Sequence, residues 1–333
     1  MNAHSDDALL ALALADAPAD TWRRTHAWLQ RDGHSLLGLH NPDYPPLLRR
    51  SPSPPRWLFV DGDASKLWHP SVAIVGTRLP TPDGRDNARE FAASFAHGGL
   101  CVTSGMAAGI DSAAHIGALD ARGPTVAVLG TGIDVPFPPG NRRLMERIAH
   151  EGVVVSEYPP GTEGQTFTFP HRNRIVAGLS LGTLVIEAAY RSGALITARL
   201  AADAGREVFA TPGSIRNPMA RGCHRLLREG VTLVETPKEV LDALAPVAAA
   251  FADDLRARLD VPTSSRIALQ HALPDMDVDT QRLWDAIGHD PTPMETLVMR
   301  TGLTAAKVAS ILLSMELGGR VVSEHGRVTR KSS

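Results

Sequence analysis

The chain has little cysteine. Its two thiols, Cys101 and Cys223, stand far apart in 333 residues, with no C-x-x-C pair and no clustered histidines. That excludes a disulfide scaffold and a structural zinc site, and it fits a reducing compartment. Phosphate-loop signatures are also missing: G-K-[ST] occurs nowhere, and no glycine run matches G-x-G-x-x-G. Bound ATP or NAD is therefore not expected, and no cofactor or metal is assigned. The apolar run from Ala8 to Ala15 follows Asp6 and Asp7 instead of basic residues and is too short to span a bilayer. This predicts a cytoplasmic protein with no membrane partner. Diffuse positive charge is absent as well. A net charge of -2 and a pI near 6.7 exclude a nucleic-acid binder that works by bulk charge, so charge must be sought segment by segment.

What is present is a series of short apolar, β-branched runs. They are VAIVGTR (Val72 to Arg78), LCVTSG (Leu100 to Gly105), TVAVLG (Thr125 to Gly130), VVVSE (Val153 to Glu157), TLVIEA (Thr183 to Ala188) and EVFATPG (Glu207 to Gly213). Helical stretches separate several of them, and alternation at this spacing predicts an open α/β sheet of parallel strands buried on both faces. Ligands of such sheets sit outside the carboxyl ends of the strands. Gly76, Thr77 and Arg78, then Ser104 and Gly105, and the glycine-rich TSGMAAGID segment with Gly109 all fall there. Backbone N–H groups at a helix start beside glycines favour an anion, although glycines that only pack helix on strand give the same pattern.

The segment FPHRNRIVAGLS, Phe169 to Ser180, sets Arg172 and Arg174 around Asn173 behind a proline. Arginine presents a planar fork of donors that matches phosphate oxygens, and asparagine donates to an oxygen or a base edge. The segment reads either as an anion-binding turn at a helix start or as a structural salt-bridge turn. From Thr166 to Gly230 nine arginines, including Arg191, Arg199, Arg206 and Arg225, face four acidic residues, so this stretch is positive although the whole chain is not. Phe167 and Phe169 lie within reach of an unpaired base beside the arginines; alternatively Phe169 pins the turn by packing.

The motifs VAIVGTR, SGMAAGIDSAAH, FPHRNRIVAGLS, EAAYRSGALITA, GREVFATPG and GCHRLLREG, in this order, resemble the DNA-processing protein A family (DprA, also called Smf), densely from Tyr44 to Leu244. The resemblance implies an extended Rossmann-like domain that binds single-stranded DNA without chemistry, forms a homodimer and loads RecA recombinase during natural transformation. It makes Arg78 a phosphate-binding arginine and extends the DNA site to Gly76, Thr77, Ser104, Gly105, Gly109, Arg172, Asn173, Arg174 and Arg199. His171 stands where relatives often carry Lys or Arg, which makes any charge there depend on pH. Phe137 precedes Pro138 where a Tyr-Pro pair is frequent, a loss of one hydroxyl.

Around this core the sequence predicts three further parts. Residues 1-62 read as a small N-terminal helical module of the SAM-like kind, ended by the proline-rich YPPLLRRSPSPP. Residues 63-245 form the Rossmann-like domain, and the Ala-rich stretch 246-275 is a linker. Residues 276-333 read as a winged helix (DML1-like): helices Thr280 to Ile287, Pro293 to Arg300 and Thr304 to Leu317, then a hairpin around His325 and Gly326. In its third helix Val308, Ile311, Leu312 and Met315 bury one face and Lys307 is the only Lys or Arg, which favours a contact module over a groove reader.

Catalysis has one candidate pair, Asp111 and His115, one turn apart in GIDSAAH. No nucleophile elbow accompanies them, so a capping Asp and a hydrogen-bonded His are the simpler reading, and the chain is expected not to be an enzyme. Gly182, Thr183 and Glu187 resemble the G-T-x-x-x-E of nucleoside-monophosphate phosphoribohydrolases, which makes such an enzyme the alternative, but GLSLGT lacks the Pro-Gly-Gly of that family. A winged-helix transcription regulator is the third class.

Overall fold

The structure is a computed structural model that describes residues 9-15, 17-258, 278-287, 292-304, 307-309, 311, 312, 315, 321-324 and 327-330. It divides into two units, residues 1-261 and 262-333.

The first unit is a nine-stranded sheet: β1 (His34–Gly38), β2 (Trp57–Gly62), β3 (Ser71–Gly76), β4 (Cys101–Ser104), β5 (Thr125–Gly132), β6 (Val153–Tyr158), β7 (Gly182–Ile186), β8 (Glu207–Ala210) and β9 (Thr232–Leu233). Their order across the sheet is β1-β2-β6-β5-β4-β3-β7-β8-β9. From β6 to β9 all neighbours are parallel, while β1 and β2 join as an antiparallel edge on β6. Strand residues alternate between two cores, as a period of two demands. Ala73 and Val75 face helices Thr168–Leu179, Ala194–Asp203 and Arg221–Arg228. Val72 and Ile74 face helices Pro82–His97, Ile110–Asp120 and Pro237–Arg258. Both faces are buried, which is why the strands read as unbroken apolar runs.

The chain lays down β3 to β6 in one direction and then returns to place β7 on the other side of β3. The loops after β3 and β7 therefore leave the sheet towards opposite faces and open a crevice, the switch point at which open α/β sheets bind ligands.

The structure differs from two of the expected boundaries. The described residues up to 62 are not a separate helical module: helix Ala19–Leu29 packs Trp28 against Phe59, and β1 and β2 belong to the main sheet. The Ala-rich stretch after Leu244 does not begin a linker, because helix Pro237–Arg258 runs through it with Pro246 inside. Residues 259-275 of that linker lie outside the described residues.

The second unit contains helices Val278–Ala286 and Met294–Thr301 and a three-stranded sheet of β10 (Thr292–Pro293), β12 (Arg327–Arg330) and β11 (Val321–Glu324). Leu283, Leu297, Val308, Leu312, Met315, Val321 and Val328 form its core, and Ile311 packs beside them. Lys307 pairs with Asp279. The hairpin turn expected at His325 and Gly326 lies outside the described residues.

Candidate nucleic-acid interface

A cavity of about 190 Å³ opens at the carboxyl ends of β3, β4 and β5. Arg78 comes from the loop after β3, Gly105, Ala107 and Ala108 follow β4, and Leu129 to Thr131 end β5. Phe137 and Pro138 close one side, and Phe169 and Arg172 reach in from the helix after β6. The Phe137 and Phe169 rings meet at 4.6 Å, and the Arg78 guanidinium lies 5.9 Å over the Phe169 ring. Arg78 is exposed and Phe137 is 40% exposed, so a cation and an aromatic pair stand together at the mouth. Phosphate and base are the two things a single strand offers to such a pair.

The FPHRNR segment is the first part of helix Thr168–Leu179, not a loop. Pro170 falls in the first turn, where a missing N–H costs nothing. This changes the role of each residue in it. Arg172 is buried, and its Nη1 donates to the carbonyls of Gly105 and Val128 while its Nε donates to Asn173 Oδ1 at 3.1 Å. Burial pulls its pKa down to about 10, a fall that the nearby Asp111 carboxylate opposes and Arg78 adds to. Arg172 is thus a charged floor to the cavity, held by carbonyls. Arg174 points away: it grips both carboxylate oxygens of Glu157 at 2.5 Å, donates to the Ser53 carbonyl at 2.5 Å, and directs Nε to His171 Nε2 at 3.3 Å. Of the two readings of this segment, the salt-bridge one describes Arg174. His171 is exposed and sets Nδ1 3.5 Å from Glu157.

The glycines expected to admit a ligand are filled by protein instead. A Cβ on Gly105 would run into the Arg172 guanidinium, one on Gly76 into the Ile186 carbonyl, and one on Gly109 into the backbone of Thr77 and Arg78. Gly109 also has φ 86°, a conformation closed to other residues. The backbone N–H groups of Gly105 and Ala107 are taken by the Asp111 carboxylate at 3.1 and 3.4 Å, an internal anion. Burial raises the pKa of Asp111, and Arg172 opposes the rise. The Ser104 hydroxyl, fully buried, donates to the Ile74 carbonyl at 2.6 Å, and Thr77 is buried against Met219. Arg199 is exposed on helix Ala194–Asp203 and does not line the cavity.

The acid–base pair is likewise occupied. The Thr125 hydroxyl donates to the Val102 carbonyl at 2.7 Å, so at 2.7 Å from His115 Nδ1 it can only accept, which fixes His115 as the neutral Nδ1–H tautomer. Burial drives the His115 pKa down to about 3. Glu187 holds Thr81 and Asn217 with its carboxylate.

Sequence reasoning left out of the binding set the residues that shape the cavity, namely Ala107, Ala108, Leu129 to Thr131, Phe137 and Pro138. The paired signal was available in Phe137 and Phe169, two aromatics each followed by proline, but their contact joins elements that are distant in the chain.

Comparison with known proteins gives two family matches: DNA recombination-mediator protein A over residues 35-245 and the DprA winged helix domain over residues 267-327. Protein Smf of Escherichia coli K12 is 36% identical over 304 residues, covering 91% of this chain and 79% of the relative. The X-ray structure of DNA processing protein A from Streptococcus pneumoniae superposes with a TM-score of 0.62 at 37% identity, over 70% of this chain and 86% of that one. The DNA processing protein A of Helicobacter pylori, whose structure describes a single-stranded DNA binding mode, superposes with a TM-score of 0.58 at 28% identity, over 64% and 96% of the two chains.

Proposed function

Because this chain belongs to the DNA recombination-mediator protein A family, called DprA or Smf, we propose that it binds single-stranded DNA in the cavity at the ends of β3 to β5 and passes the strand to RecA recombinase during natural transformation. One observation carries the reading: the exposed Arg78 set over Phe169 beside Phe137, a hydrogen-bond donor for phosphate against an aromatic face. Arg172 adds positive potential from the floor without leaving its carbonyl partners. Contacts of this kind address phosphate and ring faces, so sequence preference is weak, and RNA strands are excluded by nothing in the electrostatics. Protection of incoming DNA follows from covering it, and no chemical step is assigned to the site.

RecA loading and homodimer formation rest on family membership. In a dimer two cavities share one strand, and the second contact gains effective concentration from the first. The test is RecA filament growth on single strands already coated with single-strand-binding protein, with RecA from the same organism. Wild-type chain is expected to stimulate growth and Arg78→Ala to lose that effect. No stimulation by the wild type would remove the loading role and leave a DNA-binding protein.

A further inference from the structure

A second cavity, of about 380 Å³, lies at the switch point between β3 and β7, on the opposite side of the β3 loop from the first. The same loop serves both. Arg78 lines the first cavity and Thr81 the second, three residues apart and so within about 11 Å along the backbone. Neighbouring units of one strand fall within that span.

The chemistry of the second cavity is the reverse of the first. Its lining holds two carboxylates, Asp83 and Glu187, and no cation, which repels phosphate. Glu187 is fixed: its backbone has φ 48°, Oε1 accepts from the Thr81 hydroxyl at 2.6 Å and Asn217 at 2.8 Å, and Oε2 accepts from the Thr81 N–H at 2.8 Å. Oε2 therefore keeps a lone pair. Thr211, only 7% exposed, also lines this cavity, and among the described residues its hydroxyl has no hydrogen-bond partner. Asn87 supplies an exposed amide at the rim. Cys223 at the base is unreactive, since burial raises its pKa to about 11.

The geometry points to a nucleobase subsite that accepts a base carrying an exocyclic amine, with cytosine as the best fit. A carboxylate accepts from the amine, while Thr211 and Asn87 donate to the adjacent ring acceptors. Thymine offers no amine and leaves the carboxylate facing a carbonyl. The inference rests on the reading of the first cavity as the phosphate-gripping site, which delivers the strand. It adds a modest base bias to binding that is otherwise indifferent to sequence.

The test compares the full chain on all-dT and all-dC single strands of equal length by fluorescence anisotropy. The dC strand should bind about three- to tenfold tighter, the contribution of one or two net hydrogen bonds. Thr211→Val and Asn87→Ala, which leave the Glu187 network intact, should remove that preference and leave dT affinity unchanged. Equal affinity of the wild type for both strands, or a preference that survives both variants, overturns the subsite. Arg78→Ala separates this from failure of the parent reading: it should weaken both strands alike, and if it weakens neither, the first cavity is not the DNA site.

Discussion

At the scale of single residues, the arginines that look alike in sequence separate into three physical situations. Arg78 is exposed at a strand-end loop and stacks over Phe169. Arg78→Ala should leave the melting temperature unchanged and weaken single-stranded DNA binding by about 1–3 kcal/mol, the worth of a charge-assisted contact. Arg174 is spent on Glu157 and Ser53. Arg174→Ala should instead lower stability by about 1–3 kcal/mol, because it strands a half-buried carboxylate, with DNA affinity little changed in the folded fraction. A denaturant titration beside a binding curve distinguishes the two; loss of binding at full stability for Arg174→Ala would return that residue to the DNA site. Arg172 is buried on the Gly105 and Val128 carbonyls with the Asp111 carboxylate near enough to favour its charge, so Arg172→Ala should cost about 3–5 kcal/mol. His115 gives a pH signature. In the unfolded chain it titrates near 6.5, and in the folded chain near 3. Between these values unfolding takes up a proton, so stability is complete above about pH 6.5 and falls as pH drops towards 3, by up to about 1.4 kcal/mol per unit. His115→Asn keeps a donor for Thr125 but cannot titrate. It should flatten the loss of stability between pH 7 and pH 5 by about 2 kcal/mol in urea unfolding, and identical slopes for the two proteins would contradict the buried neutral imidazole.

At the scale of elements, the turn into helix Ile110–Asp120 positions the loop that carries Arg78. Gly109 lies directly against the backbone of Thr77 and Arg78, and the Ile110 N–H donates to the Thr77 carbonyl at 3.2 Å. Gly109→Ala adds a Cβ where φ is 86° and where the neighbouring backbone already stands. It should reduce stability by about 1–3 kcal/mol and weaken DNA binding as well, by displacing Arg78; a variant with normal stability and affinity would show that the loop does not depend on this contact. The same elements explain what the sequence made legible. Strands β3 to β8 are buried on both faces, so most of their residues are apolar, with a few Ser and Thr whose hydroxyls bond to neighbouring carbonyls, and the apolar run carries the signal. β1 and β2 sit at the sheet edge, flanking a proline-rich stretch, and their short, mixed runs look like connector. The FPHRNR helix was hidden by Pro170, which breaks a helix interior but suits a first turn. Gly76, Gly105 and Gly109 were legible as glycines that something approaches closely; the sequence could not show that the approaching groups are Ile186, Arg172 and the Arg78 loop. The composition of the cavity depends on contacts between segments distant in the chain, and no local pattern records those.

At the scale of the whole molecule, charge decides how binding responds to salt. The net charge is -2, so bulk attraction does not help and the response counts only the cations that meet phosphate. Read as a sequence, Arg78, Arg172, Arg174 and Arg199 offer four such contacts, which corresponds to a log–log slope of about −2.8 on single strands. In the folded chain Arg174 is committed to Glu157, Arg199 is away from the cavity, and Arg172 keeps its carbonyl partners. One or two phosphates per cavity remain, and the slope on an oligonucleotide long enough for one cavity should be about −0.7 to −1.4. If the chain acts as a dimer with both cavities on one strand, a longer oligonucleotide should roughly double that slope and gain affinity beyond what site counting allows. Titrations over a range of salt on short and long strands measure both quantities. A slope near −2.8 on the short strand would mean that Arg174 releases Glu157 and that Arg199 meets phosphate outside the cavity, and equal slopes on the two lengths would mean that only one cavity engages each strand.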